Sequence, residues 1–430
     1  MKKKEEEKRI IYQSSYFDEK YIIETIYHNK TPKFAILNGT IEPEVLGFAK
    51  PTEELWLHPY RDPFGNLSKR AVLLPTDIGV KTSTENLLAD IKSFISSYAY
   101  MPDFWLDLGT YYALLSWIFD RFSSIGYLEF LGDKDSGKTR ISKSIAECCY
   151  NTVKMNGAAS VPALYRLIER YRGTLLIDEA DYKSTEFDSE IAKIINSGYT
   201  VDGVVWRCDV FEKDYEPRAY NVYGPKILAH REKYKDDATG SRCISYITPK
   251  DQEVAKNIPT QLPPEFGIQG EKIRNKALRW RFENVRKFKV DIGLGEILKG
   301  RYREIAIPIL NIVRMNGDSK FEKLFIEYMK ESSSEAKECS EAGMCVQALR
   351  KLVKKNPKFI TISDLTIEIN ELYQVAGDQV EMKNKAVGHL ARLLGFLTVR
   401  KTDGYRIILD AGNQALLAKV FHDYPELEGV

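Results

Sequence analysis

The 430 residues include only six cysteines (Cys148, Cys149, Cys208, Cys243, Cys339 and Cys345), with no C-x-x-C pair and no zinc-ligand spacing to any of the five histidines. A disulfide scaffold is excluded, no zinc signature is present, and the thiols read as reduced in a cytoplasmic protein. An excess of one charge is also missing. Lys and Arg number 63 against 61 Asp and Glu, a net charge of +2, so no global field draws the chain to nucleic acid or anionic lipid and any basic surface is local. Long hydrophobic runs are absent. The most apolar stretch, residues 111–119, lies between Asp107 and Asp120 and is far shorter than the roughly 20 residues that span a bilayer. The start, MKKKEEEKR, lacks the apolar core of a secretory signal and reads as a solvated end. No internal repeat appears, and no low-complexity tract beyond that charge run. What remains is an ordinary globular composition, 43% hydrophobic and 29% charged, in a chain long enough for on the order of two to four domains.

The chain divides by pattern. Residues 1–81 carry the β-branched and aromatic runs RIIYQ, YIIETIYH, KFAILNG and AVLLP, separated by turn residues, and predict a small β-rich module. Residues 82–122 switch to helical spacing, with Leu87, Leu88, Ile91, Phe94 and Ile95 on one face. Over 123–260 apolar strands (YLEFL, TLLI, KILAH, CISYI) alternate with helical stretches, which predicts an α/β sheet covered on both faces. Residues 261–336 read as a helical subdomain. In 337–430, three helices precede the hairpin LTVRKTDGYRIILD, with Asp403-Gly404 at its turn, the order of a winged helix-turn-helix.

The strongest chemical signal is GDKDSGKT: Gly132, Asp133, Lys134, Asp135, Ser136, Gly137, Lys138 and Thr139. It fits G-x-x-x-x-G-K-[ST] and sits between a predicted strand and a predicted helix. There, glycines let consecutive N–H groups turn inward around phosphates, Lys138 reaches the terminal phosphates, and Thr139 ligates Mg²⁺. The second signal is TLLIDEAD, an apolar strand ending in Asp178 and Glu179. A carboxylate at the end of a buried strand can face the Mg²⁺ held by Thr139, and the next can polarise water for attack on the γ-phosphate. ATP and Mg²⁺ are thus the expected cofactors.

With NSGYTVDGVVWRCD, GPKILAHRE and GSRCISYI following in order, these motifs resemble the AAA+ ATPases. Within them they are similar to the superfamily III and minichromosome maintenance (MCM) helicase clade of plasmids, viruses and integrated elements. The resemblance implies an AAA+ P-loop core over 123–260 with a helical lid over 261–336, flanked by the β-rich module and the winged helix. It implies a sensor residue at the end of KILAH, here His230, and an arginine inserted into the neighbouring subunit's site, here Arg242. It also implies a second sensor arginine in GRYREIAIPIL, Arg301 or alternatively Arg303. Between 204 and 223 it implies a hairpin pointing into a ring channel, with Lys213 at its tip and Arg207 and Arg218 in support. Plainer readings of the same residues are a strand-end cap for His230, an ion pair for Arg242, a solvated helix face for Arg301 and an exposed turn for Lys213.

On the winged helix, Lys383, Lys385, His389 and Arg392 lie on the third helix and Arg400, Lys401 and Arg406 on the wing. Residues 382–410 hold six basic against two acidic side chains, net +4, the local footprint of duplex or junction binding, or else a basic face of a protein adaptor. The expected function is an ATP-driven DNA translocase or helicase, an oligomeric ring and by family a hexamer, in replication of a mobile genetic element. Single-stranded DNA would lie in the channel and duplex at the winged helix. The alternative is an ATP-dependent DNA-binding remodeller or loader that does not unwind. The set Lys138, Asp178 and Glu179 argues against a third reading, a non-hydrolysing structural DNA-binding protein.

Overall fold

The computed structural model describes residues 9–39, 42–156, 159–178, 185–208, 216–231, 237–249, 258–338, 340–355, 357–375, 381–402 and 404–424. These form two compact units, residues 1–326 and 327–430. The first opens with strands β1 (Arg9–Gln13), β2 (Ser15–Phe17), β3 (Tyr21–His28), β4 (Thr31–Asn38), β5 (Glu44–Leu46), β6 (Leu55–Pro59) and β7 (Val72–Leu73). The β3–β4 turn is two residues, Asn29 and Lys30, both at positive φ (48° and 62°), the primed geometry that matches strand twist. β2 to β5 form an antiparallel sheet in sequence order, and β1 pairs parallel with β6. Helices α1 (Thr84–Tyr98) and α2 (Asp103–Leu115) follow, then a 3₁₀ turn over Ser116–Arg121. Ser83 caps α1 by accepting from the Asn86 amide.

The central sheet comes next, in the alternation β8 (Tyr127–Leu131), α3 (Lys138–Cys148), β9 (Thr152–Asn156), α4 (Val161–Tyr171), β10 (Leu175–Asp178), α5 (Thr185–Ser197), β11 (Val204–Cys208), β12 (Pro217–Asn221), β13 (Lys226–His230), α6 (Asp237–Gly240) and β14 (Cys243–Ile247). Its strand order is β14-β8-β13-β10-β9-β7, with β14, β8, β13, β10 and β9 parallel and β7 antiparallel at the edge. β8, β10 and β13 are buried at every position, as continuous apolar runs should be when helices cover both faces. The mixed α/β class expected from the alternation is therefore present.

The N-terminal segment enters this architecture directly. Leu67, Val72 and Leu74 share a core with Tyr165, Ile168, Ile194 and Leu228. The Thr76 amide donates to Asn275 Oδ1 and the Gly79 amide to the Asn275 carbonyl, both on α7 (Pro264–Asn284). α7 and α8 (Gly300–Met315), which fall in the segment expected as a helical lid, pack on the helices already named, α7 on α1 and α3 and α8 on α2. Arg274 of α7 donates to the Glu147 carboxylate of α3 at 2.8 Å, and Arg281 ties α7 to both β3 and the 3₁₀ turn.

That arginine is the most consequential buried cation. Its Nε donates to Glu24 Oε1 at 2.6 Å and its two Nη atoms to Asp120 at 2.9 and 2.7 Å, while the Tyr150 hydroxyl donates to the other Glu24 oxygen at 2.5 Å. Removing one partner from a buried ion pair costs about 3–5 kcal/mol, and Arg281→Met should lose that much in a denaturant titration. Burial already pushes the Glu24 carboxyl above its usual range. Without Arg281 the folded state binds that proton more readily still, so the variant's stability should fall as pH rises above the ordinary glutamate range.

α9 (Ser319–Glu338) leads into the second unit: α10 (Glu341–Val353), β15 (Phe359–Thr361), α11 (Ile362–Val375), α12 (Asn384–Leu393), β16 (Thr398–Lys401), β17 (Gly404–Ile408) and α13 (Ala411–Asp423). The strands form an antiparallel sheet ordered β15-β17-β16, and Val346, Leu349, Leu365, Ile369, Val387, Phe396 and Ile407 build its core. No helix among the described residues is long and apolar enough to cross a membrane.

Candidate nucleotide site

β8 delivers the chain to Gly132 at its carboxyl end, and α3 begins at Lys138. A Cβ on Gly132 would stand 2.1 Å from Thr248 Oγ1 and 2.6 Å from Ser136 Oγ, so only glycine lets the loop fold this tightly. Gly137 sits at φ 87° and precedes α3 with no side chain capping that helix, leaving its amino end to serve an anion. Thr248, just past β14, braces the loop: its hydroxyl lies 2.8 Å from the Leu131 carbonyl and 2.7 Å from Ser136 Oγ. Asp133, Lys134 and Asp135 are exposed, whereas Ser136 and Lys138 are buried. Lys138 Nζ donates to the Asp133 carbonyl at 2.9 Å, curling over the concave side of the loop.

β10 is not the neighbour of β8, because β13 lies between them. Asp178 nonetheless reaches the loop helix: the Thr139 hydroxyl donates to Asp178 Oδ1 at 2.8 Å. The other carboxylate oxygen pairs with Lys143 Nζ at 2.9 Å. A hydroxyl and a carboxylate are hard oxygen donors, and an ammonium already rests on that carboxylate, so these residues fit a magnesium ion. Glu179 lies outside the described residues.

His230 ends β13, level with Leu131 of β8. Its Nε2 is 2.8 Å from Glu129 Oε1, both side chains are buried, and the Ser245 hydroxyl donates to the second Glu129 oxygen. The ring is thus held by a carboxylate inside the sheet.

Arg242 and Arg301 stand at the other end of the sheet. Cys243 pairs with Tyr127 and Ile247 with Leu131, so Arg242 precedes the amino end of β14 while the loop follows the carboxyl end of β8. The span of a five-residue strand separates them, about 15 Å, and Arg242 does not serve the loop of its own chain. It is 8% exposed, with its guanidinium 4.6 Å over the Tyr199 ring. Arg301 lies 5.5 Å over the same ring and donates to Ser241 Oγ at 2.5 Å. Around them burial pushes the Cys243 thiol and the Tyr127 phenol well above their usual ranges, so neither supplies an anion there. Arg303 turns away, donating to the Ile292 carbonyl at 3.0 Å.

β11 and β12 pair antiparallel, with Arg207 opposite Arg218. Like charges in that relation repel, and each has an acid from a neighbouring helix: Arg207 donates to Glu190 of α5 at 2.5 Å, Arg218 to Glu169 of α4 at 2.9 Å. Arg207, expected on nucleic acid, lies one pair from the turn end of this ladder and is held there by Glu190, and Lys213, expected at the tip, lies outside the described residues. In the second unit Lys385, His389 and Arg392 share the exposed face of α12 opposite Val387, Leu390 and Ala391, with Lys383 at its start. Arg400 and Lys401 are exposed on β16, and Arg406 lies 4.0 Å over the Phe359 ring.

No protein-family model matches the sequence, and no curated protein does. Among solved structures, the chain is similar to the apo A form of the NrS-1 C-terminal region at 12% identity, over 90% of this chain and 96% of that one, with a TM-score of 0.34. It is similar to a full-length MCM homolog from Methanopyrus kandleri at 11% identity, over 74% and 76% of the two chains, TM-score 0.36. A chain of Drosophila ORC bound to DNA is 12% identical over 81% and 95%, TM-score 0.22. At these values the chemistry rests on the geometry of the site itself.

Lys143, Thr248, Tyr199 and Glu129 belong to this geometry and were not singled out from sequence. Lys143 is one helical turn beyond Thr139, so the 3.6-residue period marks it. Glu129, an acid inside YLEFL, signals a buried charge in need of a partner. Thr248 and Tyr199 carry no such signal. The Lys143 contact predicts a measurable effect, since its half-exposed ammonium competes with a divalent cation for Asp178. A pair of this exposure is worth about 0.2–1 kcal/mol, so Lys143→Met should lower the Mg²⁺ concentration for half-maximal ATP hydrolysis about 1.4- to fivefold.

Proposed function

We propose that the chain is a magnesium-dependent ATPase of AAA+ type that works as an oligomeric ring, a hexamer, and uses hydrolysis to move along DNA in the replication of a mobile genetic element. One observation carries the ATPase reading: the Thr139 hydroxyl at the start of α3 meets Asp178 across an interposed strand, the arrangement that a P-loop and a metal-binding carboxylate require.

The loop from Gly132 to Thr139 cradles the phosphates with its N–H groups, and Lys138 leaves the Asp133 carbonyl to pair with the terminal ones. Thr139 and Asp178 hold the Mg²⁺, which when bound neutralises phosphate charge. Glu179 orients the attacking water and accepts its proton. His230, fixed by Glu129 at the end of the strand between the two motifs, reports on the terminal phosphate. Because Arg242 and Arg301 cannot reach their own loop, they serve the loop of a neighbour, which makes the ring part of the active site. Lys213 at the hairpin tip grips the strand backbone, with Arg207 and Arg218 in support. The basic face of Lys383, Lys385 and Arg392, with Arg400, Lys401 and Arg406 on the wing, holds duplex.

ATP hydrolysis measured with and without single-stranded DNA, beside strand displacement on a forked duplex, tests this reading. DNA-stimulated hydrolysis with displacement supports it. Hydrolysis without displacement moves the protein to the remodeller or loader reading, and absence of hydrolysis refutes the enzyme altogether.

A further inference from the structure

The outer face of the β1–β6 pair carries a row of rings that the nucleotide chemistry does not use. β1 and β6 run in register with Ile10 beside Trp56, Ile11 beside Leu57 and Tyr12 beside His58. Leu57 is buried with Ile23, Phe34, Ile36 and Ala49, so strand alternation turns Ile10, Tyr12, Trp56 and His58 to the opposite face. Phe48 joins them from the preceding segment, where Ala49 bridges to Leu57. The rings are contiguous: Trp56 to Phe48 5.1 Å, stacked at 19°; Phe48 to His58 5.9 Å; His58 to Tyr12 5.8 Å. Tyr12 is 41% and Phe48 43% exposed. A core has no use for rings so placed, and exposed aromatic groups in a row mark a binding surface.

A cation stands at each end. Lys50 Nζ is 5.4 Å from the Trp56 ring and the Arg61 guanidinium 5.8 Å from the Tyr12 ring. From these observations we infer that this face binds single-stranded nucleic acid, with bases stacked on Tyr12, Phe48 and Trp56 and backbone phosphates meeting Lys50 and Arg61. Every base has a π-face, so such a platform is tolerant of sequence. Flat rings flanked by cations suit bases joined by phosphates better than they suit the aliphatic side chains of a protein partner. Duplex is excluded because its bases are already stacked on one another. Two cations release few counterions, so stacking dominates and binding persists in salt. The site needs neither nucleotide nor a ring, and so stands apart from the ATPase reading.

The test is fluorescence anisotropy of a labelled (dT)₈ oligonucleotide with the full chain, without nucleotide, at a salt concentration of about 0.3 M where phosphate-only contacts have weakened. Replacing Tyr12 and Phe48 together by Leu should weaken binding at least about tenfold, whereas Tyr12→Phe, which keeps the ring, should stay within about twofold. Both positions are exposed, and an unchanged melting temperature shows that the fold is intact. Wild-type affinity in the double Leu variant overturns the proposal, as does an equal loss of blunt-duplex binding in that variant, since the basic face proposed for duplex is untouched by it. So does a Tyr12→Phe loss as large as that of the double Leu variant. Hydrolysis of ATP without DNA, measured on the same variants, should not change. If the wild type lacks hydrolysis but the double Leu variant loses (dT)₈, the enzyme reading fails and this one stands; normal hydrolysis with undiminished (dT)₈ binding gives the reverse.

Discussion

Arg242→Ala is expected to lower the turnover number for ATP hydrolysis about a thousandfold or more while leaving ATP affinity unchanged. A guanidinium supplied to the transferring phosphoryl group contributes at least that much in P-loop enzymes, and contributes only as charge develops in the transition state. The position of Arg242 adds a sharper expectation. It sits before the amino end of β14, beyond the Tyr127 end of β8, while its own loop follows the other end, so on the proposed reading the phosphate it serves would belong to another subunit. Lys138→Ala and Arg242→Ala proteins, each inactive alone, should therefore regain activity when mixed. In random assembly about a quarter of the interfaces pair an intact lysine with an intact arginine. Because Arg242 is largely buried on Tyr199, a melting curve must accompany the kinetics. A stable Arg242→Ala protein that turns over normally, or inactive partners that never complement, would refute the assignment.

Asp178→Asn should have an effect of similar size for a different reason. The amide keeps the shape and can still accept from the Thr139 hydroxyl, but it loses the charge that holds a divalent cation and favours Lys143. Hydrolysis should fall about a thousandfold, with the Mg²⁺ requirement moving to higher concentration. Excess Mn²⁺, a better partner for weak oxygen ligands, should restore part of it. Glu179→Gln should instead retain ATP, losing about a hundred- to ten-thousandfold in rate as a general base is removed. If Asp178→Asn hydrolyses at the normal rate and with the normal Mg²⁺ profile, Asp178 is a turn residue and the metal is held elsewhere.

The parts of this molecule that were legible in sequence are those in which one local pattern decides the outcome. YLEFL, LLID and KILAH are apolar at a length that suits strands, and all three are buried strands of one sheet. Gly132 of GDKDSGKT lies where Thr248 and Ser136 leave no room for a side chain, and Gly137 where φ is 87°. Less legible was anything set by two distant segments. Val72 and Leu73 read as part of an N-terminal module, yet they close the edge of the central sheet against β9, because strand pairing depends on the partner's free edge and not on local residues. Arg281 was not singled out in its helical segment, yet it is buried between Glu24 and Asp120, 257 and 161 residues away in sequence. Arg301 read as a residue of the nucleotide site, and only the fold brings it to Ser241 and Tyr199 at the far end of the sheet.

The most direct measurement is calorimetric titration of ATP into the purified chain with Mg²⁺ present. A single saturable site per chain, abolished in Lys138→Ala and strongly weakened when Mg²⁺ is chelated, is the predicted result. A folded protein that takes up no ATP, or that takes it up equally well without Lys138, would contradict the account.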